Sequence, residues 1–213
     1  MLHDVIVLWF ERLLDWGYTG IFLMMAIEST IVPLPSELVI PPAAYWAAQG
    51  DLSFWGVVLS GASGSAFGSS LCYGLTYTLG RAAVLRWGRL FLVGPDKVEL
   101  AERWIADYAL SGVFFARLLP VLRHLVGFSA GLVRVPFRWF LLVTFSGSFL
   151  WCTVLAWVGA NTIGKRPDLL HDPEAMASVL KANLGWFVGL AFLLSASWIF
   201  VKWWGKRSSA KAH

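Results

Sequence analysis

Three long stretches without a charged side chain constrain this sequence more than anything else in it: Phe54 to Gly80, Trp139 to Gly164 and Ala182 to Val201. A helix crosses the hydrocarbon core of a bilayer in roughly 20 mostly apolar residues. Charged residues make up 14% of the 213-residue chain, where a soluble domain carries about 25%. Lipid is therefore the expected solvent, and an all-α integral membrane protein the expected class. The thirteen Trp suit interfacial belts, where an apolar ring and a polar N–H are both satisfied.

Between the spans the pattern is less regular. Asp4, Glu11 and Asp15 share one face of an otherwise apolar start, so residues 1–16 read as an interfacial helix. No basic n-region opens the sequence, and no cleaved signal peptide is expected. Residues 17–50 are apolar but hold Glu28, Pro33, Pro35, Glu37, Pro41 and Pro42. Proline removes amide donors, and irregular backbone at membrane depth needs protein or a wet cavity around it. A re-entrant hairpin turning at Pro33 and Pro35 follows. With the span to Gly80 it forms a first repeat, 17–80, in which Gly56, Ser60, Gly64 and Gly68 make a small-residue stripe for a close helix neighbour. Asp51 reads as the cap of a helix beginning at Leu52.

Residues 81–107 are the main polar segment, with a helix start at Gly94-Pro95-Asp96. The second repeat, 108–164, has the same design: a hairpin holding Arg117, Pro120, Arg123 and His124, then a span. Gly68-Ser69-Ser70-Leu71 and Gly147-Ser148-Phe149-Leu150 occupy equivalent places, as do Gly80 and Gly159. A loop (165–181), a last span (182–204) and a basic tail (205–213) complete the chain. Basic loops stay in the cytoplasm. Arg81, Arg86, Arg89, Lys97 and Arg103, and at the other end Lys202, Lys206, Arg207 and Lys211, place the central loop and the C-terminus there. The two hairpins then enter from opposite faces, as inverted transporter repeats do. The net charge of +4 follows from this topology, so no nucleic-acid partner is expected. Cys72 and Cys152, the only cysteines, read as small buried residues.

A charge at the bilayer centre costs about 2.5–3.5 kcal/mol on insertion scales, so Glu28, Glu37, Arg117 and Arg123 require a reason. Snorkelling to the interface and a purely structural ion-pair cluster are the plainer ones. The functional one is a site where the hairpin tips meet, two carboxylates facing two guanidiniums. Arg presents a planar fork suited to phosphate or carboxylate, and a desolvated Glu suits proton carriage. His124 reads as a hydrogen-bonded interior residue, or as an extra phosphate contact or proton relay. Arg134 and Arg138 read as interfacial anchors.

At these charges the sequence resembles a known family. The run Glu28-Ser29-Thr30-Ile31-Val32-Pro33-Leu34-Pro35-Ser36-Glu37 looks like the acidic, proline-rich signature of the DedA (VTT-domain) family. Phe114-Phe115-Ala116-Arg117-Leu118-Leu119-Pro120-Val121-Leu122-Arg123 is similar to its second signature. Tyr77 to Arg81, Ala130-Gly131, Phe137 and Trp139-Phe140 extend the resemblance over roughly residues 16–164. Two departures stand out: Ser36 where many members carry Gly, and Val133-Arg134-Val135 where many carry Met. The resemblance implies a bacterial inner-membrane protein that moves lipid, with undecaprenyl phosphate as the substrate of bacterial relatives. It also implies proton-dependent membrane homeostasis, and essential roles at Glu28, Glu37, Arg117 and Arg123.

The expectation is therefore a flippase for a polyisoprenyl phosphate, with protons and membrane lipids as its other partners and homo-oligomerisation left open. The Arg pair would hold the phosphate and the acids would exchange protons. A proton-coupled exporter, a scramblase of another lipid and a membrane scaffold are the alternatives. A lipid-phosphate hydrolase fits less well, because no acid stands at helical spacing from His124 to make a nucleophile–base arrangement. No enzyme activity, cofactor or metal is expected.

Overall fold

Two long helices and four short ones carry the described part of the chain, and all of its regular secondary structure is helical. The structure, a computed structural model, describes residues 16–30, 36–87, 99, 103, 110–118, 123, 125–163, 185 and 189. Residues 1–15, the helix start at Gly94, the loop 165–181, nearly all of the last span and the tail lie outside these. So do Pro33, Pro35, Pro120 and His124.

Helix α1 covers 16–28. A 3-10 turn at Ser36–Leu38 leads into α2, Ile40–Gln49. Pro41 and Pro42 fall in the first turn of α2, where amide hydrogens are not needed. Gly50 closes α2 in the left-handed region (φ 97°), its amide returning to the Ala47 and Trp46 carbonyls. Helix α3, Phe54–Trp87, starts two residues later than expected. The Ser53 amide at its entrance is taken by the Tyr18 hydroxyl at 2.7 Å, so Asp51 is not the cap. The expected end at Gly80 is a kink instead (φ 71°, ψ −175°), beyond which the helix resumes. Helix α4 covers 110–118, α5 is Val126–Leu132 and α6 is Phe137–Ile163. Each short helix has fewer residues than the roughly 20 that a span requires. Among the described residues α6 is the one helix both long and apolar enough to cross a membrane; the Gly and Ser residues of α3 dilute its apolar content.

Contact order gives the directions. The small-residue stripe of α3 receives α1. A Cβ at Gly64 would sit 2.2 Å from the Phe22 carbonyl oxygen, one at Gly68 would sit 2.2 Å from that of Ala26, and one at Gly56 would strike the Tyr18 ring. Contact positions rise together, so α1 and α3 run the same way, and α2 must reverse the chain between them. Similarly, Gly127 and Gly131 of α5 press on Ser69 and Tyr73 of α3. Ser36 and Pro41 meet Trp151 and Gly159 of α6. Thus α5 follows α3 and α2 follows α6. The two long helices are antiparallel: Gly61 faces Cys152, Ser65 faces Ser148 and Tyr73 stacks on Phe140. In lipid, where exclusion of water drives no helix contact, such close backbone approach supplies the packing energy.

Large apolar side chains cover the outside. Trp55, Leu59, Phe67, Leu71, Leu75 and Leu79 form an exposed ridge on α3, spaced four residues apart except where Ser63 stands between Leu59 and Phe67, and Leu142, Leu150 and Trp157 are exposed on α6. A water-soluble monomer rarely carries so continuous an apolar surface. Aromatic residues mark its two ends: Trp16, Trp55 and Trp157 at one, Tyr77 and Trp139 at the other. Trp55 and Tyr77 are about 33 Å apart along the helix at ~1.5 Å per residue, close to the ~30 Å hydrocarbon thickness. Inside are two apolar cores. One gathers Ile21, Met25, Ile40, Val57, Val58 and Leu155. The other gathers Tyr73, Val113, Ala116, Val126, Ala130 and Phe140, and there the Tyr73 hydroxyl donates to the Val135 carbonyl at 2.7 Å.

Candidate functional site

The polar site lies between these two cores. Glu28 is the last residue of α1, Ser36 opens the 3-10 turn before α2, and Arg123 stands between α4 and α5. The interruptions of both short-helix pairs therefore meet. Arg123 Nη2 pairs with Glu28 Oε1 and also donates to Ser36 Oγ at 2.9 Å. Trp151 Nε1 donates to the same hydroxyl at 3.3 Å, and its ring stands 5.9 Å from the Arg123 guanidinium carbon. All four side chains are buried.

Arg117, on α4, comes from the other side. It is 4% exposed and donates to Ser69 Oγ on α3. Gly147 of α6 leaves room for its stem: a Cβ there would lie 2.9 Å from the Arg117 Cβ. Among the described residues no carboxylate stands within ion-pair distance of Arg117, and its Nε has no hydrogen-bond partner. A cavity of about 10 Å³ separates the groups, lined by Met25, Glu28, Ser65, Arg117, Arg123, Ser148, Trp151 and Cys152. That volume is about one water-sized probe. Ser148 lies midway between Trp139 and Trp157, and Ser65 close to midway between Trp55 and Tyr77, so the cavity is at half the depth of the apolar surface.

Three of the four charges singled out in the sequence thus converge: Glu28, Arg117 and Arg123. Glu37 is half-buried in the 3-10 turn beside Ser36 and does not line the cavity. Among the described residues the lining holds one carboxylate and two guanidiniums, a formal excess of one positive charge among them. Paired buried ions must offset several kcal/mol of desolvation each, and an unpaired one has less to offset it with. An anion of the right shape would supply what Arg117 lacks, since the guanidinium fork matches phosphate and carboxylate oxygens.

The hydroxyls were not anticipated. Ser29 Oγ donates to Glu28 Oε2 at 2.9 Å and lies 2.8 Å from Ser65 Oγ, which accepts from Ser148 Oγ at 3.2 Å. Ser69 and Ser148 occur in the matching Gly-Ser pairs of the two halves, and that repetition was the available signal. Cys72 and Cys152 are buried as expected, and Cys152 joins the lining. Arg134 is exposed and lies over the Tyr77 ring at 5.4 Å, consistent with an end-of-helix anchor. Among the described residues no group of three or more His, Cys, Asp or Glu could hold a metal ion.

The model of the VTT domain matches residues 34–161, more than half of the chain. This chain belongs to the VTT-domain (DedA) family. The matched region takes in every site residue described above except Glu28, Ser29 and Met25, which immediately precede it. Undecaprenyl phosphate transporter A of Bacillus subtilis (strain 168) is 29% identical over 153 residues, which are 70% of this chain and 75% of the relative. A Lactococcus lactis (strain IL1403) protein named alkaline phosphatase-like protein is 28% identical over 194 residues, 88% of each chain. An uncharacterised membrane protein of Synechocystis is 30% identical over 140 residues, 66% of this chain and 64% of the relative. No solved structure matches. As a DedA member the chain is a membrane protein, in accord with its apolar exterior.

Proposed function

We propose that this DedA protein carries a polyisoprenyl phosphate lipid, undecaprenyl phosphate in the first instance, across the bacterial inner membrane. The observation that carries the reading is Arg117: a guanidinium buried at half depth, held by one serine hydroxyl, with no carboxylate within ion-pair distance among the described residues. The lipid phosphate is the counter-ion, taken by Arg117 and Arg123 together. Glu28, and Glu37 in the neighbouring turn, exchange protons as the phosphate comes and goes, and His124 is an additional contact. The Bacillus relative's name supports the substrate. The antiparallel α3 and α6, each with a pair of short helices, support an inverted repeat of two re-entrant hairpins and two spans, turning at Pro33, Pro35 and Pro120, with the C-terminus in the cytoplasm. The cavity has room for about one water-sized probe, so the hairpins must part to admit a headgroup.

The test is translocation of undecaprenyl phosphate by the purified protein in vesicles. Arg117→Lys and Arg123→Lys keep the charge but lose the bidentate fork, and each should lose most transport while the protein still inserts. Full transport by both variants would remove the phosphate clamp. Movement of a different lipid alone would shift the reading to a scramblase. The alkaline phosphatase-like relative gives a hydrolase its one argument, and release of inorganic phosphate in the same vesicles would favour it.

A further inference from the structure

A carboxylate at one end of the buried serine chain fixes the direction of every hydrogen bond along it. Ionised Glu28 can only accept, so the Ser29 hydroxyl gives its proton to Oε2 at 2.9 Å. Ser29 Oγ must then accept from Ser65 at 2.8 Å, and Ser65 Oγ accepts from Ser148 at 3.2 Å. The three hydroxyls come from the turn that follows α1, from α3 and from α6, each about 5% exposed. Ser65 and Ser148 line the cavity, as does Glu28 itself, so the serines offer a hydrogen-bonded route to one particular oxygen of an acid that already borders the cavity. The other oxygen of Glu28, Oε1, is occupied by Arg123, so Oε2 is the atom that the chain serves.

We propose that Ser148, Ser65 and Ser29 form a proton wire between the cavity and Glu28; this rests on the transport reading above and names the path by which its acid is charged and discharged. A proton donor in the cavity, either water or the acidic O–H of a phosphate monoester, protonates Ser148 Oγ. Ser148 passes its own proton to Ser65, Ser65 to Ser29, and Ser29 to Glu28 Oε2. Each hydroxyl breaks one O–H bond and forms one, the donor loses one proton and Glu28 gains one. The hops leave the chain reversed, with Glu28 donating to Ser29, Ser29 to Ser65, Ser65 to Ser148 and Ser148 to the cavity; the hydroxyls must rotate back before a second proton can pass the same way. The occupant of the cavity and the charge on Glu28 are thereby linked. Among the described residues, the ionisable groups that border the cavity with Glu28 are Arg123, Arg117 of α4 and Cys152 of α6, and Cys72 of α3 faces the Ser29 carbonyl with its Sγ at 3.7 Å. Glu37 occupies the adjoining turn. Protonating Glu28 removes the counter-charge of Arg123 and raises the demand for an anion.

The experiment follows Glu28 itself. In the full-length protein in lipid nanodiscs, a pH jump is followed through the infrared carboxyl band that Glu28→Gln abolishes. Ser65→Ala should slow protonation about a hundredfold, the low end of what a positioned proton-transfer group supplies. Ser65→Thr, which restores a hydroxyl, should return most of the rate. Ser148→Ala, at the end of the chain, should slow it too and serves if Ser65→Ala does not fold. Wild-type rates in both alanine variants, or a wild-type Glu28 that takes up no proton, would overturn the wire. Vesicle translocation is read separately: wild-type protein that moves no lipid removes the transport reading, while the infrared rates still decide the wire.

Discussion

Arg123 and Ser36 are hydrogen-bonded at 2.9 Å although 87 residues separate them in the sequence. The bond ties the interruption between α4 and α5 to that between α1 and α2. Ser36 accepts from Trp151 as well, so one hydroxyl joins both interruptions to the middle of α6. A glycine here would leave both donors without this acceptor, and so the departure at position 36 has a structural consequence.

The Glu28–Arg123 pair should be strongly coupled. Removing one partner of a buried pair leaves the other charge uncompensated, at a cost of about 3–5 kcal/mol. Arg123→Ala is expected to lose about that much in thermal unfolding of the detergent-solubilised protein. The double variant Glu28→Gln with Arg123→Met should be less destabilised than the sum of its single variants. Additive losses would show that the two residues do not share an interaction.

Glycines of α3 should separate by what faces them. Gly64→Ala and Gly68→Ala put a methyl 2.2 Å from the Phe22 and Ala26 carbonyl oxygens, and backbone cannot swing aside as a side-chain tip can. Each should destabilise by about 1–3 kcal/mol, as overpacking does, by pushing α1 away. Gly74→Ala meets nothing within 4 Å and should be neutral or gain up to about 1 kcal/mol of helix propensity. Unfolding temperatures of the three variants decide it.

Legibility in the sequence followed how local the signal was. Proline acts on its own backbone, so Pro41 and Pro42 could be read as marking a helix boundary, and they fall in the first turn of α2. A charge amid apolar residues is conspicuous, so Glu28, Arg117 and Arg123 were legible. The serines were not, because an apolar helix treats them alike until its neighbours are known. Ser70 satisfies itself on the Ala66 carbonyl at 2.7 Å, while Ser69, one residue earlier, receives Arg117. The stripe Gly56, Gly64, Gly68 announced a close neighbour but not which one. Glu37 had the same credentials as Glu28, and it stands in the 3-10 turn at Ser36–Leu38, outside the residues that line the cavity.

Antiparallel packing of α3 and α6 predicts which ends share a face. Ser53→Cys, before α3, and Asn161→Cys, near the end of α6, should react with a membrane-impermeant maleimide from the same side of the bilayer, and Arg134→Cys from the other. The native Cys72 and Cys152 are buried and provide a quiet background. Labelling of positions 53 and 134 from one side would mean that α3 does not cross.

Arg117 should be a residue that the folded protein would be more stable without. Its desolvated charge has no carboxylate within ion-pair distance among the described residues, and its Nε is unpaired. Replacing buried ions by apolar side chains of similar volume is often stabilising, by about 1–4 kcal/mol. Arg117→Met, similar in shape to the Arg stem, is therefore expected to raise the unfolding temperature, by about 2–4 °C per kcal/mol in a chain of this size. The same variant should abolish lipid phosphate translocation. A ligand that binds only the folded state stabilises it in proportion to its affinity, so undecaprenyl phosphate should raise the unfolding temperature of the wild type and leave that of Arg117→Met nearly unmoved. A merely structural arginine predicts the reverse on both counts: Arg117→Met would unfold at a lower temperature, and the lipid would shift both proteins equally.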